Sequence, residues 1–127
     1  MIRKFNVGII GTGNIASVMA QTISKMKGVK LYAVASRQKV RAEVFAGKYG
    51  CKKAYGSYEE LAEDDKVDLV YIATPHSEHY ANVKMCLMKD KPVLCEKAFT
   101  ANAVQAEELI FLAKERNIFL AEAMWTR

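Results

Sequence analysis

The sequence predicts a doubly wound α/β domain, a parallel sheet of six strands with helices on both faces. Three observations lead there. A short apolar run, Phe5 to Ile10, passes through a glycine turn straight into a helical pattern. A second run, Leu69 to Ala73, is apolar on both sides of its alternation, as a central parallel strand covered by helices must be. Runs of strand length alternate with amphipathic stretches of helix length along the whole chain, the pattern of successive β-α-β units. At 127 residues the chain has the length of one domain, large enough to bury about two-thirds of the surface its unfolded form exposes. No repeat, low-complexity tract or internal linker interrupts it.

Phe5 to Ile10 suits a buried strand. Asn14 to Met26 then places Ile15, Met19, Ile23 and Met26 on one helical stripe, with Gly28 as the stop. Val29 to Ala35 is the second strand. Residues 38–49 form a second helix with Val40, Val44 and Phe45 turned inward and Gly50 at its end. A short strand at Lys53 to Tyr55 follows, and Ser57 with Glu60 has the S-x-x-E spacing of a capping box. That box opens a brief helix through Leu61, which runs out in the acidic turn Glu63 to Asp65. The fourth strand, Leu69 to Ala73, ends at Thr74 and Pro75. Tyr80, Val83 and Leu87 mark the next helix, Val93 to Cys95 the fifth strand, and Ala106, Leu109, Ile110 and Ala113 the inner face of the last helix. Asn117 is its C-cap, and Ile118 to Ala121 is the sixth strand.

Between the first strand and the first helix, Gly11, Gly13 and Ala16 match G-x-G-x-x-G/A, the fingerprint of a Rossmann dinucleotide site. Gly11 permits the tight turn, Gly13 lets the backbone approach a pyrophosphate, and Ala16 lets helix and strand pack closely. Asn14 and Ile15 open the helix, whose N-terminus offers N–H groups and a positive dipole end to phosphate. An acid at the end of the second strand would bond the adenine ribose of NAD, yet no Asp or Glu occurs before Glu43. Ser36 and Arg37 stand there instead, with Lys39 and Arg41 close behind. A hydroxyl and two guanidinium groups suit a 2′-phosphate through charge-assisted bonds, so NADP is expected rather than NAD.

Composition narrows the alternatives. Residues 1–53 carry eleven Lys or Arg against one acid, and residues 54–127 carry eight against thirteen, within a net charge of +5. This basic front lacks an interleaved aromatic platform and reads as a solvated face, so nucleic acid is not an expected partner. No run of eighteen apolar residues occurs, so no membrane association is expected and the cytoplasm is the default location. Cys51, Cys86 and Cys95 are odd in number and have no metal spacing, which fits reduced thiols and no metal site.

In an open α/β sheet the ligand lies beyond the carboxyl ends of the strands. The fourth strand runs into "ATPHSEHY", the fifth into "CEKAFTAN" and the sixth into "EAMWTR". With "GTGNIA" ahead of them in order, these motifs resemble the Gfo/Idh/MocA family of NAD(P)-dependent oxidoreductases, with a nearer look to the dimeric dihydrodiol and D-xylose dehydrogenases. The resemblance covers the whole chain. It implies that Thr74, Pro75, His76 and His79 lie at the dinucleotide, and that Glu96 and Lys97 belong to the family's E-K-P signature. In that signature the lysine meets the reacting carbon's hydroxyl beside the nicotinamide. This sequence departs from it at Ala98, where the family has proline. By the same resemblance Trp125 walls the substrate pocket and Arg127 stands near it.

The chain stops just after the sixth strand, so residues 1–127 are expected to be the dinucleotide-binding domain, with the family's C-terminal substrate domain absent from it. The resemblance then implies hydride transfer between NADP and a sugar, secondary alcohol or dihydrodiol, with Lys97 assisting the proton. That activity would belong to the full-length form, a possible homo-oligomer, and the 127 residues alone would be inactive. The other reading is a non-catalytic NAD(P)-binding sensor or regulatory module.

Overall fold

A computed structural model describes residues 4–96 and 102–123. Among these, strands and helices alternate: β1 (Phe5–Ile10), α1 (Asn14–Ser24), β2 (Val29–Ala35), α2 (Lys39–Tyr49), β3 (Lys53–Tyr55), α3 (Tyr58–Ala62), β4 (Leu69–Ile72), α4 (His76–Met88), β5 (Val93–Glu96), α5 (Ala103–Arg116) and β6 (Leu120–Ala123). They form one six-stranded sheet in the order β3-β2-β1-β4-β5-β6, with every pairing parallel. The first strand of the chain therefore lies inside the sheet, with β2 on one side and β4 on the other.

Both faces are covered, as an all-parallel sheet requires. Val7, Ile9, Leu31, Val34 and Tyr71 pack with Ala16, Ala20 and Ile23 of α1 and with Ala42 and Phe45 of α2. On the other face, Ile10, Ala35, Val70, Ile72 and Val93 meet Leu61 of α3, Val83 and Leu87 of α4, and Leu109 of α5. Leu61, Leu87 and Leu109 are wholly buried, and each such side chain contributes roughly 1.5–3 kcal/mol relative to staying exposed. The β1–β2 register slips between Val7, opposite Leu31, and Gly8, opposite Ala33. Tyr32 is the extra residue, and it packs in the same half of the core as Ala33, the mark of a β-bulge.

The helix faces differ from those the periodicity predicts. Ile15 and Met26 are exposed, and α1 ends at Ser24 rather than Met26. Val40 and Val44 are 70% and 66% exposed, and Ile110 also faces outward. The buried positions include Ala16, Ala20, Ala42 and Ala113. Small side chains let these helices lie close on the sheet, so the inner stripe runs through alanine and the bulkier neighbours fall outside it. The last strand begins at Leu120 rather than Ile118. Asn117 takes the left-handed conformation, and the Ile118 N–H bonds back to the Ala113 carbonyl at 2.9 Å, so that residue still closes the helix. Gly50 ends α2 in the same way, with the Cys51 N–H reaching the Ala46 carbonyl at 3.0 Å. At α3, Ser57 Oγ accepts from the Glu60 N–H at 3.2 Å, as the capping box predicts.

Long-range polar contacts fix the centre of the sheet. The Asn6 N–H donates to Asp68 Oδ2, and Asn6 Nδ2 donates to the Lys66 carbonyl, both at 2.8 Å. Lys91 Nζ donates to the carbonyls of Asp64 and Val67 at 2.7 and 2.8 Å. The turn before β4 is thus clamped from two sides. No helix among the described residues is long and apolar enough to cross a membrane.

Candidate functional site

Four segments converge at the carboxyl edge of the sheet: the turn after β1, the turn after β2, the start of α3 and the segment after β4. They enclose a cleft of about 520 Å³, within the roughly 300–1,000 Å³ range of small-molecule sites.

Its floor is the glycine turn. Gly11 has φ +109°, and a Cβ there would lie 2.9 Å from the Ala73 carbonyl oxygen. The close approach follows from the pairing around it: the Gly11 N–H donates to the Ala35 carbonyl, and the Ala73 N–H to the Ile10 carbonyl, both at 2.9 Å. Gly13 is different. A Cβ on it would meet nothing within 4 Å, so only the missing side chain keeps that part of the cleft clear. Gly13 is also the N-cap of α1, with no side-chain hydrogen bond to the cap and no acid in the first turn. Among the described residues the first N–H groups of the helix thus have no capping side chain and stand at the positive end of its dipole. Backbone donors, a positive dipole end and unfilled space together fit the pyrophosphate of a dinucleotide.

The second wall comes from β2 and α3. Ser36 is buried, and its Oγ accepts from the Gln38 N–H at 3.2 Å. Arg37 reaches across the cleft, placing Nη2 2.8 Å from Glu78 Oε1. Its guanidinium carbon lies 5.5 Å from the centre of the Tyr58 ring. Burial pushes the Tyr58 hydroxyl above its ordinary pKa and the Glu78 carboxylate adds to the rise, while Arg37 opposes it. The phenol stays neutral. Arg41 lines the same end of the cleft.

The third wall is the segment after β4. Thr74 is buried, its Oγ1 donates to Asn82 Oδ1 at 2.6 Å, and its carbonyl accepts from His79 Nε2 at 2.7 Å. That contact makes Nε2 the protonated nitrogen. Pro75 caps α4, and His76 begins it, its ring centre 5.2 Å from that of His79.

Of the residues singled out in the sequence, Gly11, Gly13, Asn14, Ile15, Ser36, Arg37, Arg41, Thr74, Pro75 and His76 line this one cleft. Ala16 is wholly buried behind the turn, where its small side chain lets α1 pack on the sheet. His79 and Glu96 stand behind the lining rather than in it. His79 is wholly buried and holds the Thr74 carbonyl from behind. Glu96, at the end of β5, is buried and accepts from the Tyr71 hydroxyl. Lys97, Ala98, Trp125 and Arg127 lie outside the described residues. The sequence reading missed Thr12, Gln38, Tyr58, Ala73 and Glu78, which complete the lining. Thr12, Gln38 and Ala73 are sequence neighbours of residues it did identify. Tyr58 and Glu78 arrive from other elements and carry no local signal.

No cluster of three metal-ligating side chains occurs among the described residues. Burial pushes the thiols of Cys86 and Cys95 up to about 12 and that of Cys51 to about 11, so none is a thiolate near neutral pH.

Comparison with known proteins agrees with this geometry. The family model described as "Oxidoreductase family, NAD-binding Rossmann fold" (GFO_IDH_MocA) matches residues 5–123. The trans-1,2-dihydrobenzene-1,2-diol dehydrogenase of Mus musculus is 43% identical over 122 residues, covering 94% of this chain and 37% of the relative. The Homo sapiens protein of the same name is 45% identical over 123 residues, covering 94% and 36%. Among solved structures, an NAD binding oxidoreductase from Klebsiella pneumoniae superposes with a TM-score of 0.90 at 32% identity, covering 94% of this chain and 34% of that one. A 3-ketoreductase from Actinomadura kijaniata, in complex with TDP-benzene and NADP, gives 0.89 at 33% identity, covering 94% and 38%. The chain thus spans little more than a third of the length of the relatives it matches.

Proposed function

The chain belongs to the Gfo/Idh/MocA oxidoreductase family, with its NAD-binding Rossmann fold, and from that premise we propose that it is the dinucleotide-binding part of an NADP-dependent oxidoreductase. The observation that carries the cofactor choice is the joint presence of Ser36, Arg37 and Arg41 in the same cleft as the glycine turn. The backbone N–H groups of α1 would hold the pyrophosphate. The Ser36 hydroxyl and the two guanidinium groups would hold the 2′-phosphate. Thr74 and Pro75, fixed by His79 and Asn82, would set where the nicotinamide half rests.

When bound, the nicotinamide supplies or accepts hydride at a substrate carbon. Lys97, which follows β5 in the chain, would hold the proton at the substrate oxygen and stabilise its developing negative charge. We infer a substrate with a secondary hydroxyl or its ketone, a sugar or a dihydrodiol. The relatives named for dihydrodiol oxidation and 3-keto reduction support this class. Trp125 and Arg127 are the proposed substrate contacts of this chain, and a second domain would contribute the remainder. In a longer chain that includes that domain, Lys97→Met is expected to lower turnover without changing cofactor affinity. An unchanged rate removes Lys97 from the mechanism.

The cofactor assignment is tested by calorimetric titration of the chain with NADPH and, separately, with NADH. Tighter binding of NADPH is expected. Arg37→Ala should weaken NADPH by about tenfold, the loss of one charge-assisted contact of about 1.4 kcal/mol, and NADH by much less. Equal losses for both would remove the 2′-phosphate assignment.

A further inference from the structure

We propose that Glu78 is a specificity-determining residue, a carboxylate that competes with the 2′-phosphate for Arg37 and so narrows the preference for NADP over NAD. The inference rests on the reading of Arg37 as a ligand of that phosphate.

Glu78 enters the cleft from the first turn of α4, opposite the end of β2. Its Oε1 lies 2.8 Å from Arg37 Nη2. That oxygen is shielded from solvent, yet among the described residues it receives no hydrogen bond of good direction. The contact is an ion pair held by charge and proximity, without the alignment of a bidentate arginine–carboxylate pair. The Arg37 side chain is 68% exposed and that of Glu78 24%, so the cation is the more accessible partner of the pair, and both line the cleft.

The two forms of the adenosine ribose meet this pair differently. A 2′-phosphate brings about −1.5 to −2 charges to a cation whose charge is already partly neutralised, and places them within a few ångströms of a second anion. Either the phosphate tolerates that repulsion or Glu78 must leave Arg37. A 2′-hydroxyl carries no charge, can donate a hydrogen bond, and leaves the pair intact. Glu78 thus supplies from α4 the acid that the end of β2 lacks. It acts against the selectivity that Ser36, Arg37 and Arg41 create, and a site with both features accepts either dinucleotide.

The test uses adenosine 2′,5′-bisphosphate and 5′-AMP as probes, titrated into the wild-type chain, Glu78→Gln, Arg37→Ala and the double variant. Glu78→Gln keeps the side chain's shape and removes its charge. It is expected to tighten the bisphosphate by about tenfold, the scale of one like-charge contact near a protein surface, and to leave 5′-AMP within about twofold. In the Arg37→Ala background the gain should shrink, since only the direct repulsion between carboxylate and phosphate then remains. A charge effect that merely stabilised α4 would move both probes together and would survive removal of Arg37 undiminished. Either of those outcomes, or no gain at all while Arg37→Ala still weakens the bisphosphate, overturns the role of Glu78 alone. Should Arg37→Ala leave the bisphosphate unaffected, the phosphate reading of Arg37 falls, and this inference with it.

Discussion

Gly13→Asp is expected to weaken dinucleotide binding about a hundredfold while leaving the domain at least as stable as before. Gly13 has extended backbone, φ −84° and ψ −164°, which any residue adopts, and a Cβ there meets nothing within 4 Å. No strain opposes the substitution. Aspartate is also among the best N-cap residues, worth a few tenths of a kcal/mol over glycine, and its carboxylate would bond the first-turn N–H groups that now have no capping side chain. Those are the donors the pyrophosphate needs. A phosphate would then face a filled donor set and a like charge, a loss of about 3 kcal/mol or a hundredfold in affinity. Thermal unfolding and calorimetric titration with NADPH separate the two quantities. Unchanged binding would show that the pyrophosphate is not held at this helix end.

Gly11→Ala should do the reverse and strike the fold first. At φ +109° an alanine is strained, and its Cβ would sit 2.9 Å from a backbone carbonyl oxygen, which cannot step aside as a flexible side chain can. The strain costs about 1–3 kcal/mol, and separating β1 from the segment after β4 costs more. With a total of about 3 kcal/mol, the unfolding midpoint of a domain this size should fall by about 10 °C. Binding should weaken as well, because Ala73 and Thr74 line the same cleft. A melting curve matching that of the wild type would mean that the turn relaxes more easily than its packing indicates. Two glycines of one short motif thus have separable purposes, one for the chain's own path and one for its ligand.

Much of this was legible in the sequence because it is local. The strands, the terminators Gly50 and Asn117, the Ser57 cap and the glycine turn all depend on residues within a few positions of one another. The helix faces were less so. Ranking residues by size chooses Ile15, Val40 and Val44 for the interior, but α1 and α2 lie close on the sheet through Ala16, Ala20 and Ala42, which are buried beside Ile23 and Phe45. His79 shows a second limit. The sequence makes it a polar group near the expected ligand, while the structure buries it against the Thr74 carbonyl, a placement that only the return of α4 over β4 creates. Glu78 shows a third. An acid in the first turn of a helix ordinarily complements the dipole, and nothing near it in the chain indicates that it would face Arg37.

The position of β1 has a consequence for how the protein is made. β1 leaves the ribosome ahead of both strands that it pairs with. β2 follows soon, but Asn6 and Asp68, which join the other side, are 62 residues apart. At about 5–20 residues per second, synthesis of that interval lasts roughly 3–12 s. Through those seconds the stretch FNVGII offers a row of unsatisfied N–H and C=O groups on an apolar strand, the kind of edge that recruits other nascent chains. Arg3 and Lys4, just ahead of it in the sequence, are the charges placed to discourage such pairing. Those six residues are thus the stretch of this sheet exposed longest before its second partner is translated.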